Sequence, residues 1–155
     1  MLFLCICLWA VVVWSCRVTV FGNPLYLHLR SVDEDLLARV EEIVGGERAA
    51  TTEPEVRFLQ HFSRLTLLEI GVFILEVVLF TYLYLSGPLP TLAFVALSKD
   101  LLLLFASAYH ARTQLREGVF ASLLAFPPWL IVLDRVSAFL SGAAAFVLFW
   151  AVSRM

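Results

Sequence analysis

The chain has 155 residues, of which 61% are apolar, 14% aromatic and only 15% charged. A soluble domain of this length cannot hide so much apolar surface, since about a quarter charged is the usual balance, whereas three or four membrane spans fit the length. A net charge of −2 is too near neutral for a nucleic-acid partner, so lipid and other membrane chains are the expected surroundings.

Leu2 to Phe21 is the first span, with Arg17 near one end, where a long side chain snorkels to the interface. Cys5, Cys7 and Cys16 all fall in it and no cysteine lies elsewhere, so no disulfide framework staples the loops. They read as small apolar membrane residues. The bulky Trp14 disfavours a lipoprotein reading of Trp14-Ser15-Cys16, and the lack of a basic segment ahead of Leu2 disfavours a cleaved signal peptide. Gly22-Asn23-Pro24 stops the span. Leu25 to Arg30 then alternates apolar and polar residues, which predicts a short extended piece on the bilayer surface or along another chain.

A loop over 22–64 follows. Ser31 with Glu34 forms a capping box that opens an amphipathic helix over 32–44. Its acidic first turn suits the helix dipole, Val32, Leu36, Val40 and Ile43 or Val44 form its apolar stripe, and Gly45-Gly46 ends it. The charged face is either solvated or docks a partner. Thr52 with Glu55 is a second capping box, opening a helix over 53–64 that reaches the membrane at Leu65.

The remainder, 65–152, reads as a three-span bundle. Leu65 to Leu85 is span two, and Ser86 to Pro90 is a short turn that makes span three its antiparallel neighbour. Span three runs from about Leu89 to His110, and Arg112 to Gly118 is a polar loop. The block from Gly118 to Val152 would be about 52 Å long as one helix, too long for a single span. Pro127-Pro128 divides it into a half-helix over 118–126, interfacial or re-entrant, and a fourth span from Pro128 to Ala151 anchored by Trp129 and Trp150. The predicted fold is an all-α, polytopic transmembrane helix bundle of four spans, kinked at Pro127-Pro128, with a short amphipathic cytoplasmic helix. Arginines gather in the 22–64 and 111–117 loops, which predicts that these face the cytoplasm or its organellar equivalent, with both termini on the other side.

Charges interrupt these spans. Glu69 and Glu76 in span two are seven residues apart, two helical turns less about 20°, and so share one face. A charged group near mid-bilayer costs about 2.5–3.5 kcal/mol, so that face must meet protein or water. By depth, Glu76 matches Lys99 of span three, and Glu69 matches Arg135 of span four. Asp100 and Asp134 remain, so Glu69, Glu76, Asp100 and Asp134 outnumber Lys99 and Arg135 by two. The surplus carries protons, titrates in a transport cycle, or meets cations of a neighbouring subunit. Ala93, Ala96, Asp100 and Ser107 share a face of span three, and Asp134, Ser137, Ser141 and Ala145 a small-residue seam of span four.

His61 and His110 sit near the cytoplasmic boundary and are interfacial residues or, less readily, ligands to haem or a metal. No glycine-rich phosphate loop, zinc pattern or nucleophile elbow occurs, so no catalytic or metal-ligating set is assigned. Glu53-Pro54-Glu55-Val56 resembles the approach to span two in the small four-span membrane proteins of eicosanoid and glutathione metabolism. Their span-two signature of Arg, Asn and Glu is not kept: His61 to Glu69 has no Asn, and its Glu is out of register, so the resemblance implies no glutathione site.

The leading expectation is a non-enzymatic accessory or structural subunit of a membrane assembly, or a self-assembling oligomer, without a cofactor. The alternative is a small proton- or cation-coupled transporter or channel with Glu69, Glu76 and Lys99 on the path. A membrane enzyme binding glutathione or haem is the third.

Overall fold

The computed structural model describes residues 1–47, 49–114 and 127–154. Among these, regular structure is helical throughout: α1 (Leu2–Phe21), α2 (Pro24–Arg30), α3 (Glu34–Val44), α4 (Glu53–Ser86), α5 (Pro90–Gln114) and α6 (Pro128–Ser153). Four helical stretches, beginning at Leu2, Glu53, Pro90 and Pro128, are long and apolar enough to cross a membrane.

The four long helices pack in a closed circuit, α1 along α6, α6 against α5, α5 along α4, and α4 against α1. Leu8 and Val11 of α1, Phe80 and Leu83 of α4, Ala93 of α5, and Ala145 and Leu148 of α6 are fully buried where they meet. Large apolar side chains such as Ile6, Ile74, Phe105 and Phe139 point outward and are exposed. Water would make that surface aggregate; hydrocarbon covers it without cost. Small residues let backbones approach. A Cβ on Gly142 of α6 would lie 3.0 Å from the Ser15 Cβ of α1, so only glycine fits that crossing without displacement.

The segment after α1 departs from the alternation in its sequence. Residues 24–30 are helical, and the extended reading of Leu25 to Arg30 is corrected. Asn23 Oδ1 accepts from the amides of Leu25 at 2.9 Å and Tyr26 at 3.3 Å, and Pro24 occupies the first turn. A side-chain N-cap followed by proline outweighs a three-fold alternation that has no sheet to join. Gly22, at φ +92°, turns the chain between α1 and α2.

The next cap also shifts. The Ser31 hydroxyl donates to the His28 carbonyl at 2.8 Å, closing α2, and Asp33 is the N-cap of α3. The helix therefore starts at Glu34, two residues later than the capping box at Ser31 predicts. Leu37 and Val40 of α3 are buried with Leu29 of α2 and Phe58 of α4, while Val44 of the predicted stripe is 48% exposed. At the start of α4 the Glu55 carboxylate accepts from the amides of Thr51 and Thr52, both at 3.2 Å, as the second capping box requires. The helix then continues without a break to Ser86, so the approach helix and span two are one element. The predicted half-helix over 118–126 lies outside the described residues; α6 begins at Pro128 with Pro127 as its N-cap.

Candidate functional site

Three helices bring polar side chains together in the bundle interior. Lys99 of α5 holds its Nζ 3.7 Å from Glu76 Oε2 of α4, touches Asp100 Oδ1, and donates to Ser137 Oγ of α6 at 3.2 Å. The Ser141 hydroxyl, one turn further along α6, donates to Glu76 Oε2 at 2.7 Å. The helical repeat explains the convergence. Ser137 and Ser141 are four apart and face one way, and Asp100 follows Ala93 and Ala96 on the packed side of α5. Glu76 and Asp100 are 8% and 4% exposed, so their charges are answered by protein groups or left unanswered. Asp100 Oδ2 has no hydrogen-bond partner, nor has Ser15 Oγ of α1.

A second polar level lies two turns from the first along α4. Glu69 Oε1 accepts from the Leu25 amide at 3.4 Å, and Asn23 caps α2 beside it. No ion pair joins Glu69 to Arg135 among the described residues, which corrects the pairing expected from depth. The Arg135 guanidinium reaches back to Gly22, where an added Cβ would sit 3.2 Å from its Nη2. The start of α2 supplies Glu69 instead with an amide that has no partner inside that helix.

A cleft of about 330 Å³ connects the levels, with Glu69, Glu76, Lys99, Asp100 and Asp134 all on its walls. A neighbouring cleft of about 350 Å³ shares Asn23, Glu69, Leu103 and Asp134 with it and extends past Gly22 to Arg135. Five of the six charged residues singled out in the sequence therefore line one cleft, and Arg135 lines its neighbour. Such a polar seam can exchange protons between carboxylates, hold a cation, or lock helix register.

Sequence reading missed the polar role of four residues. Asn23 was legible as an N-cap before proline. Ser15 continues the buried spacing Leu8, Val11, Ser15, Val18 of α1. Ser137 and Ser141 stood out for their size, while their hydroxyls carry the polar contacts.

The histidines stand apart from this seam. His61 is exposed and lies edge-on to His28 of α2, with ring centroids 4.5 Å apart. His28 stacks on Phe58 at 5.2 Å, and its Nε2 is buried without a partner. Burial first, then the nearby His61 charge, holds the His28 pKa below the usual histidine value. The side chain of His110 is outside the described residues. Among the described residues no group of three potential ligands is placed to hold a metal ion. Cys5, Cys7 and Cys16 are free thiols. Comparison of the chain with protein families, with characterised proteins and with solved structures finds no match.

Proposed function

We propose that the chain is a non-enzymatic accessory or structural subunit of a membrane assembly, or of an oligomer of itself. The observation that carries this reading is the tie centred on Lys99, which reaches Glu76, Asp100 and Ser137 at once and so links α4, α5 and α6. A group committed to three contacts within its own chain suits a register-fixing role. The exposed apolar faces of the long helices offer area for lipid or for neighbouring subunits alike. Mild-detergent extraction from native membranes tests it. A defined complex larger than the monomer is expected, and a chain that stays monomeric and partnerless overturns it.

A second reading, a small proton- or cation-coupled transporter or channel, is favoured by the cleft, which Glu69, Glu76, Asp100 and Asp134 line together with Lys99. Proteoliposome flux by wild type and by Glu76→Gln decides it, since equal flux or none removes it. In both readings the 22–64 loop is cytoplasmic and the termini lie opposite, supported by where the arginines fall.

A further inference from the structure

Arg30 of α2 and Arg135 of α6 line the second cleft and not the one beside Lys99. Both side chains are exposed. Their neighbours fix the level of this cleft. α2 follows the end of α1, Leu130 and Ile131 belong to the first turn of α6, and Leu103 and Ser107 to the second half of α5. Spans therefore stop and start around it, as they do at the level of lipid headgroups.

Arg135 nonetheless sits seven residues inside α6, about 10 Å by the helical rise. A guanidinium exposed at that depth is costly unless it bends to the interface or meets an anion. Its Nη2 would lie 3.2 Å from a Cβ on Gly22, so the glycine of the α1–α2 turn leaves the room that the guanidinium fills. A guanidinium carries five N–H donors and no acceptor. Among the described residues neither Arg135 nor Arg30 makes a side-chain hydrogen bond or an ion pair. Asp134 feels the charge of Arg135 without forming an ion pair with it. Glu69 and Asp134 line both clefts, so they lie where the two adjoin, toward the bundle interior. The outward side carries the arginines.

Two such groups call for an anion with several oxygens, and phosphate is one that arginine matches in geometry as well as charge. The cleft holds about 350 Å³, more than a bare phosphate fills, and within the small-molecule range of about 300–1,000 Å³. Leu25, Leu103, Leu130 and Ile131 make much of its lining apolar. Phe139 and Phe146, four and eleven residues beyond Arg135 in α6, lie on the same side of that helix and are 60% and 53% exposed. A basic mouth, an apolar lining and an apolar track beneath it match a lipid rather than a free ion. Basic pockets between membrane helices hold lipid headgroups on the same chemistry.

We propose that this cleft seats the phosphodiester of a membrane phospholipid. Arg135 and Arg30 donate to its oxygens, the glycerol region lies against Ile131 and Leu103, and one acyl chain runs down α6 past Phe139 and Phe146. The inference goes beyond both functional readings and holds under either.

The test uses the full chain, washed free of lipid in nonionic detergent and titrated with dioleoylphosphatidylglycerol, followed by thermal melting and native mass spectrometry. A saturable rise in melting temperature, with one lipid retained per chain, is expected. Dioleoylglycerol, the same tails without phosphate, and inorganic phosphate, the head without tails, are expected to do neither. Arg135→Gln and Arg30→Gln each weaken retention about tenfold, the scale of losing one partner of a charge pair. Arg154→Gln, at the far end of α6 beside Trp150, leaves it unchanged. Equal response to dioleoylglycerol, no saturable response to the phospholipid, stabilisation by inorganic phosphate in its place, unchanged retention in both cleft variants, or an equal loss in Arg154→Gln overturns the proposal. Should Arg135→Gln fail to fold, Arg30→Gln and the phosphate-free lipid still decide.

Discussion

The Ser141 hydroxyl of α6 donates to Glu76 Oε2 of α4 across 2.7 Å, and the same oxygen lies 3.7 Å from Lys99 Nζ of α5. One carboxylate oxygen is therefore where three helices meet. Neither contact is dispensable on its own terms, but they differ in scale. A hydroxyl bond between membrane helices averages about 0.6 kcal/mol, whereas stripping one partner from a buried ion pair costs about 3–5 kcal/mol because the other charge is left stranded.

Lys99→Met is accordingly the most damaging single change in the seam, expected to destabilise the bundle by about 3–5 kcal/mol. Ser141→Ala costs about 1 kcal/mol or less. Adding Asp100→Asn and Glu76→Gln to Lys99→Met restores most of the loss, because the stranded charges go with it. Melting temperatures of the purified variants in one detergent check the order. A Lys99→Met protein as stable as wild type would show that the cluster contributes nothing.

The close crossing of α1 and α6 makes a steric prediction. Gly142→Ala sets a methyl 3.0 Å from the Ser15 Cβ, tighter than carbon atoms tolerate, so the helices must part. A loss of about 1–3 kcal/mol is expected, typical of overpacking. Ser15→Gly in the same chain relieves the contact and recovers the difference. If the double variant is no better than Gly142→Ala alone, the two positions are not in contact.

Much of this architecture was legible in the sequence because hydrocarbon is an unforgiving solvent. Runs such as Leu65 to Leu85 have one stable state there, and charges inside them must turn inward, so Glu76 and Lys99 could be matched by depth alone. What misled was local competition outside the apolar runs. Leu25 to Arg30 shows a strand's period, yet Asn23 and Pro24 had already committed the chain to a helix. Ser31 carries a helix-start pattern but spends its hydroxyl on His28. Arg135 matched Glu69 in depth, but depth says nothing of direction around the helix, and the start of α2 offered Glu69 an amide first. Side-chain bonds of two or three residues' reach decided the first two cases and one between residues 44 apart in the chain decided the third, and periodicity registers neither kind.

Acidity should loosen the packing of α2 on α4. Burial and the His61 charge lower the His28 pKa below its unfolded value of 6.5, so the folded protein takes up this proton less readily than the unfolded chain. Stability is therefore unaffected while both states are neutral, above about pH 7. It falls as the pH drops through 6.5 toward the lower folded value. His28→Phe keeps a ring stacked on Phe58 and removes the titration. Its melting temperature should lose less than that of wild type between neutral and mildly acidic buffer. Identical losses would assign the pH dependence to other groups.

The helical state of residues 24–30 rests on one cap and can be tested through it. Asn23 Oδ1 is the acceptor for the Leu25 and Tyr26 amides, which have no partner within the helix itself. Asn23→Ala leaves both without that acceptor, at a cost of about 1 kcal/mol, and Asn23→Asp or Asn23→Ser keeps most of the bond. Amide exchange should therefore quicken about fivefold over α2 in Asn23→Ala, as 1 kcal/mol of local opening implies, with α6 unchanged and Asn23→Asp near wild type. The Asn23 side chain also hydrogen-bonds Glu69, so any change in Glu69-dependent behaviour should appear in Asn23→Ala and in Asn23→Asp alike. Were the segment extended along the bilayer surface, Asn23 would cap nothing, and the three proteins would exchange alike.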